Sequence, residues 1–173
     1  MKAIVKTSQE AGIFEVKEVP VPKPGRGEIM VQVKAASLCY TDVAILNNKY
    51  KGRRPVPIPI VMGHEGTGVV YELGEGVENV SVGDRVGLEV VYGCGACVNC
   101  LNGNSNMCGN WRHIGSIIYT KKDFADAIAI LQDPTFNVAP ILSRIDPLSK
   151  YQEAFADALT GNYAKIILDF RQA

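Results

Sequence analysis

Apolar and polar residues alternate with period two over most of the first ninety positions, the signature of half-buried strands. Ala3 and Val5, then Ile13, Phe14 and Val16, stand out from polar neighbours. Pro20, Pro22 and Pro24, followed by Gly25 and Gly27, interrupt the pattern and predict a connecting turn. The run 28–35 (EIMVQVKA) predicts a strand with Ile29, Val31 and Val33 on one face. Two more strands are expected over 68–73 and 84–91, bounded by glycines. Short strands between Gly/Pro turns point to an antiparallel barrel or sandwich rather than a parallel sheet.

Beyond residue 116 the period changes. Thr120-Lys121-Lys122-Asp123 fits a capping box, with Phe124, Ile128 and Leu131 following at helical spacing. Asp146 is expected to cap a second helix that has Pro147 at its first position and Leu148, Tyr151, Phe155 and Leu159 as its apolar stripe. Gly161 falls where that helix should end, and 164–170 (AKIILDF) reads as a closing strand. The fold class expected is therefore α+β, mainly β, with two C-terminal helices. No internal repeat interrupts it.

Composition narrows the function. The chain has 173 residues, about one domain by length. Eighteen basic side chains balance eighteen acidic ones, which argues against a nucleic-acid partner, since binding phosphates needs surplus positive charge. No apolar run approaches the ~18 residues of a membrane span, and the amino terminus has no secretory h-region. A cytoplasmic protein with no membrane partner is expected.

Four of the five cysteines, Cys94, Cys97, Cys100 and Cys108, lie within fifteen residues on a loop rich in Gly and Asn. In a reducing compartment such spacing suits a metal better than disulfides. A structural zinc held by four thiolates is one reading; an iron–sulfur cluster, or four reduced cysteines, are the others. A second constellation joins Cys39-Tyr40-Thr41-Asp42 to Gly63-His64-Glu65: a thiolate and an imidazole from separate segments with a carboxylate beside them. Tyr40, Lys51, Arg53 and Arg54 could face a substrate or cofactor, although surface solvation explains the basic residues more simply. Trp111 reads as a packing residue beside the cysteine loop.

The run from Gly63 to Val77 fits G-H-E-x-x-G-x5-G-x-x-V at every fixed position, and Gly83-Asp84-Arg85-Val86 leads toward the cysteines. In these motifs and their order the chain resembles the zinc-containing medium-chain alcohol dehydrogenases of the sorbitol and threonine dehydrogenase type. The resemblance implies a GroES-like barrel over residues 1–115, with a zinc lobe at 93–109, and a C-terminal segment of the same domain over 116–173. It implies Cys94, Cys97, Cys100 and Cys108 as structural zinc ligands. Cys39 and His64 become catalytic zinc ligands, Glu65 a carboxylate that coordinates transiently, Thr41 the hydroxyl that passes the alcohol proton to solvent, and Asp42 the partner of the histidine. It also implies NAD(P) as hydride acceptor and a small alcohol or polyol as substrate.

The chain departs from the family at 115–116. There the dinucleotide-binding Rossmann domain, opened by G-x-G-x-x-G, is missing together with the segment that carries the usual third zinc ligand. Gly63, Gly66 and Gly68 have the wrong spacing for that loop, as do Gly74 with Gly76 and Gly93 with Gly95. The expectation is the zinc-binding catalytic domain of a dehydrogenase, inactive by itself and with no cofactor-binding residues of its own. A non-enzymatic zinc-binding module is the alternative, and hydrolysis by a zinc-bound water a distant third. Loss of a domain uncovers apolar surface, Ile117-Ile118-Tyr119 for example, so a homo-oligomer is expected.

Overall fold

The computed structural model describes residues 1–51, 55–89, 93–110 and 121–171. They form two compact units, one of residues 1–88 with 143–173 and one of residues 89–142.

Among the described residues the first unit holds eight strands in two sheets. β1 (Lys2–Lys6) lies between β2 (Phe14–Glu18) and β4 (Ile60–Val61), antiparallel to both. The second sheet runs β6 (Arg85–Gly87), β5 (Glu65–Leu73), β3 (Ile29–Ser37), β8 (Ile166–Asp169), β7 (Arg144–Pro147). Its pairings are antiparallel except β7 with β8, which are parallel. The pairings among the strands of the first ninety residues are all antiparallel, as expected; the parallel pair belongs to the C-terminal segment. The long connection between β7 and β8 contains a helix, the kind of crossover a parallel pair requires.

Local chemistry explains several elements. The β3–β5 pairing is irregular between Met30 and Val31, where Tyr71 of β5 is passed over, and between Val33 and Ala35, where Lys34 is; both leave the alternation of Ile29, Val31 and Val33 along β3 intact. Gly68 lies opposite Val33 in β5, and a Cβ there would fall 2.2 Å from the Gln32 carbonyl oxygen; only glycine permits the two strands to approach so closely. The strand expected over 84–91 is three residues long where described, and residues 90–92 lie outside the described chain.

The C-terminal segment corrects one expectation. Asp146 and Pro147 end strand β7 and do not open a helix; after a 3-10 turn at Leu148–Lys150, the helix, here α4, spans Tyr151–Ala158. Arg144 explains the difference. Its Nε lies 2.6 Å from Asp146 Oδ2, so the carboxylate expected to cap is already engaged, while the ladder to β8 holds the backbone extended. Leu148 and Phe155 are buried as the stripe requires, but Leu159 is exposed and Gly161 lies two residues past the helix cap. Phe14 of β2 packs on the same helix, its ring 5.1 Å from Tyr151 and 4.9 Å from Phe155.

Helix α1 (Tyr40–Leu46) is not signalled by the period-two pattern around it. Its inner face, Val43, Ile45 and Leu46, is buried, and Lys6 holds its far end. The Lys6 ammonium, only 1% exposed, donates to the Leu46 carbonyl at 3.1 Å and to the Glu10 carbonyl at 2.8 Å. A cation at a helix C-terminus meets the negative end of the helix dipole. The opposite end of α1 carries Cys39 and Asp42.

In the second unit, α2 (Val98–Leu101) and α3 (Lys121–Gln132) accompany a 3-10 turn at Ser105–Met107. The expected helix is present as α3, with Ile128 and Leu131 exposed. Its proposed cap, Thr120, lies outside the described residues, as do Trp111, Arg53, Arg54 and the Ile117-Ile118-Tyr119 run. Among the described residues no helix is long and apolar enough to cross a membrane.

Candidate metal centres

Among the described residues two clusters place several metal-ligand atoms within 4.8 Å of one another: Cys39, His64 and Glu65 in the first unit, and Cys94, Cys97, Cys100 and Cys108 in the second.

The first cluster is built on the start of α1. Cys39 is the N-cap, and Asp42 in the first turn reaches back so that its Oδ2 accepts the Cys39 N–H at 3.1 Å. This is the reciprocal geometry of a capping box. The other oxygen, Oδ1, accepts the Gly63 N–H at 3.1 Å and lies 3.2 Å from His64 Nδ1. Asp42 is 1% exposed, so its charge is held by these contacts rather than by water. With Nδ1 committed to Asp42, the lone pair of His64 falls on Nε2. That atom is buried and has no hydrogen-bond partner. Such an orphaned nitrogen, beside a thiol and a carboxylate, is what a metal-ligating histidine with an oriented ring presents.

The electrostatics of the cluster are strongly perturbed. Burial disfavours the His64 cation, but the Asp42 carboxylate and the Cys39 sulfur outweigh it and push the imidazole up to about 10. The imidazole and, more weakly, the amide and hydroxyl of Thr41 draw the Cys39 thiol below its ordinary value against the opposing effect of burial. Thr41 therefore sits at the sulfur. Burial raises the Glu65 carboxyl, yet Lys165 and Ser37 more than compensate and hold it below the usual range. Lys165 Nζ lies 2.6 Å from Glu65 Oε2, and the Ser37 hydroxyl donates to the same oxygen.

In the second cluster the Cys97 sulfur lies 3.5 Å from that of Cys100 and 3.7 Å from that of Cys108. Zn–S bonds of ~2.3 Å in a tetrahedron place the sulfurs about 3.8 Å apart, so the thiols already stand near that spacing. Backbone amides complete the cradle: the N–H groups of Cys94 and Asn110 point at Cys108 Sγ at 3.3 and 3.2 Å. Amides of Ala96 and Cys97 bring the Cys94 thiol down to about 6, whereas burial and then the crowding of the other sulfurs push Cys100 up to about 11. Four sulfurs this close cannot all ionise without a cation among them. Gly93 belongs to the same design, because a Cβ on it would fall 2.3 Å from Cys100 Sγ.

Cys39, His64 and Glu65, with Thr41 and Asp42 beside them, are brought together in one cluster and the four lobe cysteines in the other; Lys51 is exposed and in neither. Tyr40 is exposed on α1, 72% accessible. Ser37 and Lys165 were not foreseen. Ser37 could have been found two positions before Cys39 on a strand; Lys165 has no local signal, since only the pairing of β8 with β3 brings it there.

The alcohol dehydrogenase GroES-like domain model matches residues 25–133. Over 117 residues the chain is 41% identical to a sorbitol dehydrogenase of Halalkalibacterium halodurans, covering 67% of this chain and 33% of the relative. Over 160 residues it is 37% identical to an L-threonine 3-dehydrogenase of Bacillus subtilis, covering 92% of this chain and 44% of the relative. A solved NAD-dependent alcohol dehydrogenase superposes with a TM-score of 0.61 at 36% identity, covering 66% of this chain and 33% of that one. The chain spans less than half the length of these curated relatives.

Proposed function

The chain belongs to the alcohol dehydrogenase GroES-like domain family, and from that premise we propose that Cys39, His64 and Glu65 form the catalytic zinc site of an alcohol or polyol dehydrogenase domain. The four-cysteine lobe holds the structural zinc. The observation that carries the reading is the buried, unpartnered Nε2 of His64, aimed among Cys39 and Glu65 with its ring fixed by Asp42.

A zinc ion bound there supplies Lewis-acid polarisation of an alcohol oxygen. The chain's own groups do the rest. Cys39 and His64 are the ligands, His64 as the neutral imidazole with its Nδ1 proton on Asp42. Thr41, beside the Cys39 sulfur, offers a hydroxyl that can take the alcohol proton and pass it outward. Glu65 stands next to these ligands, held by Ser37 and Lys165.

Hydride transfer also requires a nicotinamide ring held against the substrate carbon, and the glycines among the described residues do not fit that cofactor. Gly66 and Gly68 lie inside strand β5, Gly74 and Gly76 lie between β5 and β6, and Gly93 and Gly95 lead into the cysteines. None opens a helix after a strand, as a phosphate-binding glycine loop must. We propose accordingly that the chain by itself turns over no alcohol with NAD or NADP. The same observation favours a second reading, a zinc-binding module without catalysis.

The test supplies zinc, either cofactor and a panel of secondary alcohols and polyols, and follows absorbance of the reduced nicotinamide. Silence is expected, with activity appearing when a dinucleotide-binding domain is grafted at Gly115-Ser116. Reduction that disappears in Cys39→Ser or His64→Ala would overturn the inactive reading. Continued silence after grafting, in a folded protein with both metals bound, would favour the non-catalytic module.

A further inference from the structure

The cysteine lobe carries the parts of a covalent change as well as those of a metal centre. Asn102 is followed by Gly103, and no other asparagine of the sequence precedes a glycine. Both residues are exposed. An asparagine amide loses ammonia when the next backbone nitrogen attacks its carbonyl carbon and closes a five-membered succinimide. Water then opens the ring to aspartate or, with the main chain rerouted through the side-chain carbons, to isoaspartate. A glycine nitrogen attacks most readily, because no Cβ crowds it.

The local fold calls for this pair and also restrains it. Asn102 is the C-cap of α2, and Gly103 follows at φ 81°, the left-handed conformation that glycine adopts without strain. Asn102 has ψ 11°, so the Gly103 nitrogen nearly eclipses the Asn102 nitrogen and is turned away from the side-chain amide. That same nitrogen donates its hydrogen to the Cys100 carbonyl at 3.1 Å, and the Asn104 N–H donates to the Asn99 carbonyl at 2.8 Å. Ring closure must rotate ψ of Asn102 widely and break both bonds. Helix α2 has only four residues, too few to persist by themselves. The restraint on Asn102 therefore lasts as long as the lobe stays closed around it.

Resting on the reading of this lobe as a metal centre, we propose that Asn102–Gly103 is a deamidation site gated by the lobe metal. With Cys97, Cys100 and Cys108 held on the ion, the turn at Cys100 is fixed and Asn102 persists. Without the ion the lobe opens, and Asn102 converts to aspartate and isoaspartate. Overall one water is consumed and one ammonia released, with no oxidant or reductant. The products make metal loss one-way. Isoaspartate adds a main-chain carbon between Cys100 and Cys108 and misaligns the two turn bonds. Aspartate adds negative charge at the carbonyl end of α2, on the loop that must gather four thiolates.

Mass spectrometry tests this without any turnover. The full chain is aged at mildly alkaline pH, with reductant and with either zinc or a chelator, and its tryptic peptides are separated. Aspartate and isoaspartate at position 102 should accumulate in the chelated sample, ahead of change at Asn99, Asn104 and Asn106. Free zinc at about a hundred times its dissociation constant should slow the change about a hundredfold, because binding depletes the open form by that factor. Given zinc again, the aged chelated chain should recover lobe metal, measured as the zinc that Cys97→Ser lacks, only in proportion to its remaining Asn102. Asn102→Ser, treated identically, should recover it fully. Equal rates with and without zinc, an intact Asn102 in the chelated chain, or full re-loading of deamidated chain would overturn the gate while leaving the metal centre standing. A fresh wild-type chain holding no more zinc than Cys97→Ser would overturn the lobe as a metal centre and this proposal with it.

Discussion

Asp42 Oδ1 lies 3.2 Å from His64 Nδ1 and accepts the Gly63 N–H as well, so one buried carboxylate fixes both the ring and the backbone that carries it. Asp42→Asn keeps the shape and removes the charge. The ring then loses its fixed tautomer, and zinc or cobalt affinity at Cys39/His64 should fall about 10–100-fold, as for other groups bonded to metal-ligating histidines. Affinity at the four-cysteine lobe should not change. Equal losses at both centres, read by metal titration, would contradict this division of roles.

The same pair makes stability depend on pH. In the metal-free chain the His64 value is raised from 6.5 to about 10, so the protonated ring binds its partners in the folded state. The stabilisation is complete below pH 6.5 and is lost as pH rises toward 10. In the presence of a chelator, wild type should be more stable than Asp42→Asn below pH 6.5, and the gap in urea midpoint should narrow steadily above it. Metal binding runs the other way, because the ligand must be neutral. Affinity at this centre should therefore increase with pH through the same interval, with proton release detectable in weak buffer.

The two clusters were legible in the sequence for different reasons. Cys94, Cys97, Cys100 and Cys108 are near neighbours in the chain, so spacing alone brings them together. Cys39 and His64 needed the motif around Gly63, because the convergence of β3 and α1 with the start of β5 is a tertiary fact. Lys165 was invisible, since nothing in 164–170 distinguishes its position from any other strand terminus. Helix α1 was hidden by its shortness, with only Asp42 three residues after Cys39 as a cue. At Asp146 a sound local rule failed. The cap-and-proline signal was overridden by Arg144 and by the β7–β8 ladder, neither of which a local window contains.

Lys6 links the core to the first centre. Its ammonium satisfies the Leu46 and Glu10 carbonyls, and burial pushes it below the ordinary lysine value. Lys6→Met fills the same space but leaves those two acceptors without their donor. An unsatisfied buried acceptor costs about 1–3 kcal/mol, and the loss should show as a lower urea midpoint with an unchanged slope. Because α1 carries Cys39 and Asp42 at its other end, metal affinity at that centre should weaken modestly as well. A variant as stable as wild type would mean the carbonyls find other donors.

In the lobe, packing and ligation can be separated. Cys97→Ser removes a ligand and should release the lobe metal, leaving residues 93–109 unprotected against amide hydrogen exchange. Gly93→Ala removes no ligand but drives a methyl group to within 2.3 Å of Cys100 Sγ. It should therefore lower metal content per chain at limiting zinc while the Cys39/His64 centre is undisturbed. Full lobe occupancy in Gly93→Ala, measured by elemental analysis, would show that the loop yields without cost.

Apolar side chains on the lobe bear on assembly. Val98 and Leu101, one helical turn apart on α2, are 69% and 73% exposed. Met107 is 63% exposed, and its carbonyl accepts Asn99 Nδ2 of α2 at 2.8 Å, so it belongs to the same small body. Several large apolar side chains left to water together favour association, and a second copy of the same surface is the partner always present. The chain is expected to form a dimer at tens of micromolar concentration, seen by light scattering or sedimentation. Leu101→Lys places a charge in the patch and should shift the population to monomer without changing metal content. A wild-type chain that stays monomeric would show that this surface is tolerated in water. A dimer indifferent to Leu101→Lys would place the interface elsewhere on the molecule.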